Sequence, residues 1–289
     1  MDFINGKELL QICRSENKKI SRVMLEREVF LGSRTEEEVL EKLKVSLGIM
    51  KKSAHGPIEN PVRSLGGLIG GEGKKITDHA SEKGSLLGSM LTRAIAYGMA
   101  VLEVNGTMGL IVAAPTAGSS GIVPGCLISY CEEYGYDDSV MLDGLLNTSA
   151  IGYLLTRNAS VSGAEAGCQA EVGAASAMAA SALTELQGGT AEMCLHAASI
   201  AMSNLLGLVC DPIAGLVEAP CQSRNAIGVS NAFTCAQLAL SGIAHPIPFD
   251  EMAEAMYRVG CSLPFELRET ALGGNASTPT GCTLCNKCK

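Results

Sequence analysis

Apolar residues recur along this chain at three- and four-residue intervals, and the runs break at glycine, proline and short polar strings. Thr35-Glu-Glu-Glu38 is a capping box, and Val39, Leu40, Leu43 and Leu47 follow on one helical face, so residues 1–52 read as a helical lead-in. A second run, from Ser85 to about Val104, places Leu86, Leu87, Met90, Leu91, Ala94, Ile95 and Val101 on one broad face. Residues 139–157, 222–241 and 249–260 carry the same period, the last with Met252, Ala255, Met256 and Val259. An alanine-rich stretch, 169–187, predicts a helix ending at Gly188-Gly189. Thr190 then serves as N-cap to another over 191–208, bearing Met193, Ala197, Ile200 and Leu208. No strand alternation is long enough for a substantial sheet. The expectation is an all-α fold: one large helical domain over 1–274, then a Cys-rich tail, 275–289, with no apolar face and therefore extended and partner-dependent. Residues 53–84, containing Gly66-Gly-Leu-Ile-Gly70-Gly-Glu-Gly73, read as a flexible or ligand-covering connector. They lack the strand–GxGxxG–helix setting and the P-loop ending, which excludes a nucleotide site there.

Composition narrows the class. The chain has 289 residues and 47% hydrophobic content, enough for a substantial core. With 33 glycines and only 4% aromatic residues, its helices are expected to pack closely. A net charge of −8 argues against general affinity for nucleic acid or an anionic membrane surface. No apolar run reaches the ~18 residues of a membrane span. The start, Met1-Asp-Phe-Ile-Asn-Gly6, lacks a basic-then-apolar signal pattern. Twelve cysteines in such a chain point to a reducing, cytoplasmic setting, where they serve as thiols or metal ligands rather than disulfides.

Three cysteines differ from the rest in their surroundings. Glu165-Ala-Gly-Cys168-Gln-Ala-Glu171, Cys210-Asp-Pro-Ile-Ala-Gly215 and Ala219-Pro-Cys221-Gln-Ser-Arg224-Asn225 each set a thiol beside Gly or Pro and near a polar side chain. Such turns leave the backbone open to a ligand. An antiparallel hairpin of the two central helices returns Cys210 to Cys168, and Cys221 follows after a short loop. Three thiolates converging at one end of a bundle suit an iron–sulfur cluster; buried cysteine also serves simply as core filler, and residue types alone leave both readings open. Cys194, Cys235 and Cys261, inside apolar runs, and Cys13, Cys126 and Cys131 read as structural. The terminal Cys282-x2-Cys285-x2-Cys288 has metal-binding spacing without a matching second group.

A second polar element precedes the sixth helical run. Asn105-Gly-Thr107-Met-Gly109 and Ala114-Pro-Thr116-Ala-Gly-Ser119-Ser120-Gly121 concentrate N–H groups and hydroxyls ahead of a helix, a seat for a carboxylate or phosphate as readily as a plain turn. All twelve lysines lie at or before Lys83 or in the last three residues, so none falls between 84 and 286. A pyridoxal phosphate (PLP) enzyme needs a lysine for its Schiff base, so this distribution turns the chemistry toward metal.

With these strings in view, the chain resembles the α chain of the two-chain bacterial iron–sulfur L-serine dehydratases. The shared strings are Ala114-Pro-Thr116-Ala-Gly-Ser-Ser-Gly121, Ala166-Gly-Cys168-Gln-Ala-Glu171-Val-Gly173, Cys210-Asp-Pro-Ile-Ala-Gly215, Pro220-Cys221 with Arg224-Asn225-Ala226, and Arg268-Glu-Thr270, covering about residues 20–274. The resemblance implies a [4Fe–4S] cluster on Cys168, Cys210 and Cys221, no PLP, and dehydration and deamination of L-serine to pyruvate and ammonia. It implies substrate contacts from Asn105, Thr107, Thr116, Ser119, Ser120, Arg224 and Asn225, with Glu171 as candidate base. It also implies a separate β chain in an αβ heterodimer or higher oligomer, because Ser53-Ala-His55-Gly56 is a poor match to the Ser-rich, His-containing motif that a preceding domain supplies in single-chain relatives. In some relatives a near-terminal cysteine caps the open iron; here Cys282, Cys285 and Cys288 compete for that place. The competing functions are a noncatalytic iron–sulfur scaffold or electron carrier, and a PLP lyase.

Overall fold

The computed structural model describes residues 2–287, and it contains no strand among them, only two isolated backbone bridges, Arg63 with Gly70 and Cys210 with Arg268. Thirteen α-helices follow in order: α1 Gly6–Glu16, α2 Ile20–Gly32, α3 Glu36–Glu59, α4 Glu72–Lys83, α5 Ser89–Gly106, α6 Ile122–Tyr134, α7 Asp138–Asn158, the short α8 Gly163–Ala166, α9 Ala174–Leu186, α10 Ala191–Asn204, α11 Cys221–Leu240, α12 Phe249–Ser262 and α13 Pro279–Lys287. None is long and apolar enough to cross a membrane.

The centre is α9. Every residue from Ala174 to Glu185 is buried, and α6, α7, α10 and α11 pack around it. Ala and Ser make this possible: a helix rich in small residues can be surrounded on all sides at short interaxial distance. The polar residues brought inside are used as braces. Glu185, at the end of α9, accepts from Ile20 N at 2.8 Å and Ser21 N at 3.2 Å, placing a carboxylate at the N-terminus of α2. Glu103 does the same for α4 through Gly73 N at 2.9 Å.

The α5–α6 crossing shows how close the backbones come. A Cβ at Gly121 would lie 2.1 Å from Gly98 O, and one at Gly125 would lie 2.6 Å from Ala94 O. Because both obstacles are backbone atoms, they have no rotamer to escape into. Gly125→Ala is expected to destabilise the fold by about 1–3 kcal/mol, the range for overpacking a close contact, despite the gain in helix propensity. Urea unfolding of the two proteins measures this.

Several sequence expectations hold. The Thr35–Glu38 capping box forms in full, Thr190 caps α10, and the 139–157, 222–241 and 249–260 runs are α7, α11 and α12. Others need correction. The 53–84 connector is largely helical. α3 continues to Glu59 because Met50, Ser53, Ala54 and Pro57 form a buried stripe at helical spacing, with Pro57 close enough to the end that little of the helix follows it. Leu86 and Leu87 are exposed ahead of α5, cut off by Gly84 and Gly88, both at positive φ. Cys261 is exposed rather than structural. The tail is Cys-rich as expected but helical over Pro279–Lys287 rather than extended. Thr278 Oγ1 accepts from Gly281 N at 3.0 Å and Pro279 opens the helix, a start signal the spacing of cysteines had masked.

Candidate functional site

Local backbone irregularity builds the site. Cys168 ends a turn at Gly167 (φ 75°) and is followed by a π-helical turn, Gln169–Gly173, before α9 begins. Such bulges re-aim side chains that a regular helix would direct elsewhere. Gln169 fixes this turn against the segment leading to Cys210: its N–H reaches Leu208 O at 2.9 Å, its Oε1 accepts from Gly207 N at 2.9 Å, and its Nε2 donates to Ala166 O and Met256 O. Cys210 is clamped in turn between Leu267 O at 2.8 Å and Glu269 N at 2.7 Å.

The hairpin closes as its sequence suggests. Single ligand atoms of Cys168, Glu171 and Cys210 all lie within 4.8 Å of one another, and all three residues are buried. Cys221, at the start of α11, is also buried and stands outside that tight set, near enough for Cys168 and Glu171 to act on it electrostatically. Glu171 Oε1 accepts from Thr116 Oγ1 at 2.6 Å, and Oε2 faces the Cys210 thiol at 3.8 Å. Two glycines make room for that carboxylate. A Cβ on Gly163 would sit 2.6 Å from Oε2 and 3.1 Å from Cys210 Sγ, and one on Gly118 would sit 3.0 Å from Oε1.

The electrostatics follow from burial. Burial raises the Glu171 pKa and Glu269 adds to the rise, against the opposing pull of the Thr116 hydrogen bond. The hydrogen bond to Cys168, then burial, push the Cys210 thiol well up. Burial, then the neighbouring Cys168 and Glu171, push Cys221 up to about 12. Burial works against the Arg224 charge, but Cys168 and Asp211 outweigh it and hold its pKa above the usual value.

The remaining candidates divide. Thr116 and Ser119 share a 3.1 Å contact beside Glu171. Ser120 turns its hydroxyl back to Ala117 O at 2.8 Å. Asn225 is a brace, taking Gly121 N at 3.0 Å and donating to Gly118 O at 2.7 Å and Cys221 O at 2.9 Å, so it ties the Thr116 loop to the third cysteine turn. Arg224 reaches Val209 O at 2.8 Å and pairs with Asp211 at 2.6 Å. Asp211 Oδ1 makes no in-line hydrogen bond there, so that contact is an ion pair. Asn105 and Thr107 sit at the C-terminal end of α5, where Thr107 donates to Val104 O at 2.8 Å; no contact joins them to Glu171.

Three further residues matter that the sequence did not single out. Asp211 Oδ2 accepts from Asn275 N at 2.6 Å and Nδ2 at 2.9 Å, holding the root of the tail to the Cys210 turn. Glu218, two residues before Pro220, accepts from Ser64 Oγ at 2.6 Å, Gly66 N at 2.8 Å and Leu68 N at 2.9 Å, so the Gly-rich loop is pinned to the third cysteine turn. Glu269 donates its N–H to Cys210 O at 2.7 Å, and its charge helps to raise the Cys210 pKa. In the tail, Cys285 Sγ accepts from Ala214 N at 3.1 Å, on the loop after Cys210, whereas Cys282 faces Ala276 O at 3.7 Å. Cys288 lies outside the described residues.

The family model described as serine dehydratase alpha chain matches residues 8–276. The L-serine dehydratase alpha chain of Peptoniphilus asaccharolyticus is 46% identical over 96% of this chain and 94% of the relative. A probable L-serine dehydratase alpha chain of Bacillus subtilis is 44% identical over 96% and 93%. The L-serine dehydratase of Helicobacter pylori is 35% identical over 96% of this chain, which spans 62% of that longer protein.

Proposed function

We propose that this chain, which belongs to the serine dehydratase alpha-chain family, is the catalytic chain of an L-serine ammonia-lyase that converts L-serine to pyruvate and ammonia. The observation that carries the reading is the buried convergence of Cys168, Cys210 and Glu171, with Cys221 beside them, at the point where the family strings meet. The donor set fits an iron–sulfur cluster. Soft thiols arrive from three separate turns, Gly163 clears the space next to Cys210, and the Cys168 contact with burial at Cys210, and burial at Cys221, disfavour those two thiolates unless a cation balances them. Cys168, Cys210 and Cys221 would hold a [4Fe–4S] cluster, and of the two described tail thiols Cys285 is the one assigned to guard its fourth iron. When bound, the cluster supplies an iron free of thiolate, a Lewis acid that turns the serine hydroxyl into a better leaving group.

The protein's own residues do the rest. Glu171 is buried, oriented by the Thr116 hydroxyl and placed beside the thiols, so it is the group assigned to take the α-proton at its carboxylate. Ser119 would offer its hydroxyl to the substrate carboxylate, the Thr116 hydroxyl being engaged by Glu171, and the half-buried Arg224 lends positive charge, steadied by Asp211. Asn225 and Glu218 hold the two loops in register. Loss of water leaves aminoacrylate, which tautomerises to the imine and hydrolyses.

A β chain completes the enzyme in this reading, as αβ heterodimer or higher oligomer. The eleven cysteines among the described residues are all free, which supports a reducing, cytoplasmic setting. The test is an anaerobic assay of chain reconstituted with ferrous iron and sulfide, together with its β chain. Pyruvate and ammonia from L-serine, unaffected by borohydride treatment, are expected. Loss of activity only on borohydride treatment would point to a Schiff base instead.

A further inference from the structure

Between the end of α5 and the Thr116 loop, the chain runs through Gly109-Leu-Ile-Val-Ala113 without regular structure. From Leu110 to Ala113, neither N–H nor C=O makes a hydrogen bond to any described residue. Four consecutive residues without a backbone partner present a row of free N–H and C=O groups, the template on which another extended chain can pair. Two of the four are β-branched, the residues that favour a strand. Ile111 and Val112 lean on the core, while Leu110 is 72% exposed. Around this segment lie two more bare apolar side chains, Met108 at 82% exposed and Leu65 at 77%, the latter tied by its N–H to Gly106 O at 2.8 Å. Met108 also occupies a left-handed conformation, φ 59°, at a helix C-terminus where glycine is the usual choice. A long apolar side chain is thus held outward where a smaller residue would fit better.

We propose that residues 110–113 are an open strand edge on which the β chain lays one extended segment of its own, with Leu65, Met108 and Leu110 receiving that segment's apolar side chains. The inference rests on the reading of this chain as the α subunit of a two-chain dehydratase. That reading also favours the β chain over a second copy as occupant. The relatives named alpha chain imply a partner chain, and the longer Helicobacter pylori relative, of which this chain spans 62%, carries additional length on the same polypeptide. Strand addition supplies main-chain hydrogen bonds for affinity and alternate side-chain pockets for specificity. The location also gives docking a consequence. Ala113 is followed by Ala114-Pro115-Thr116, so a strand that straightens 110–113 holds the loop whose hydroxyl orients Glu171.

Hydrogen–deuterium exchange on this chain, alone and with its β chain, tests the proposal. In the isolated chain the amides of 110–113 exchange fast; in the complex, those facing the added strand should slow by at least about tenfold. A complex that forms with these amides unchanged overturns the docking surface and leaves the two-chain reading standing. No complex at all by sedimentation overturns both. Slowing in the isolated chain as its concentration rises assigns the edge to a second copy and overturns the choice of partner. Proline gives the second readout. Neither Ile111 N nor Val112 N bonds to a described residue, so neither Ile111→Pro nor Val112→Pro removes a hydrogen bond among them. Successive N–H groups of a strand point to opposite edges. One of the two variants should therefore weaken β-chain binding by about tenfold or more and the other by far less. Equal binding by both, and by Leu65→Ser/Met108→Ser, contradicts strand addition at this edge.

Discussion

Replacing Cys210 by Ser is expected to remove bound iron and to lower L-serine turnover by at least about a thousandfold, roughly 4 kcal/mol of transition-state stabilisation. Cys168→Ser and Cys221→Ser should behave alike, whereas Cys194→Ala and Cys235→Ala should keep both iron and activity. All five thiols are buried, so burial does not separate the groups. What separates them is company. Cys168 and Cys210 share their space with Glu171, Cys221 lies beside Arg224, and Gly163 clears room next to Cys210. Cys235 instead exchanges contacts with the amides of Asn204 and Asn231, with no carboxylate or second thiol among them. Iron analysis of the five variants, purified without oxygen, decides the assignment. Iron retained by Cys210→Ser and lost by Cys194→Ala would reverse it.

Glu171→Gln keeps the volume of the side chain and its contact with Thr116 but removes the proton-accepting carboxylate. Turnover should fall by about a hundred- to ten-thousandfold, the range for loss of a positioned base, with KM little changed. Iron content should stay at the wild-type level. That second readout matters because Glu171 also lies within ligand distance of the two thiols. A variant that lost iron together with activity would make Glu171 a ligand rather than the base, and unchanged kcat would exclude both roles.

Much of this arrangement is legible in the residues, and the illegible part has a common cause. Alanine content and the Gly188-Gly189 stop mark α9, and the equal lengths of the hairpin helices bring Cys210 back to Cys168. Local turn chemistry also marks the Thr116 loop. The π-helical turn after Cys168 is different: nothing in Gln-Ala-Glu-Val-Gly distinguishes it from ordinary helix, and it forms because Gln169 is bonded to residues 207, 208 and 256. The bracing roles of Glu218 and Asp211 are illegible for the same reason, since their partners lie some 150 and 64 positions away. Asn105 and Thr107 stand in a Gly-rich string at the end of α5, where the Thr107 hydroxyl donates to Val104 O. The tail has no apolar face, yet Thr278-Pro279 is an ordinary helix start and outweighs it.

The claim at the centre is that one buried thiol set holds the metal group on which serine dehydration depends. It is tested most directly by measuring iron, acid-labile sulfide and the pyruvate rate in one anaerobic preparation, reconstituted to graded extents. About four irons and four sulfides per chain at saturation are expected, with the rate rising in proportion to bound cluster. Full serine turnover in a preparation free of iron would contradict the account.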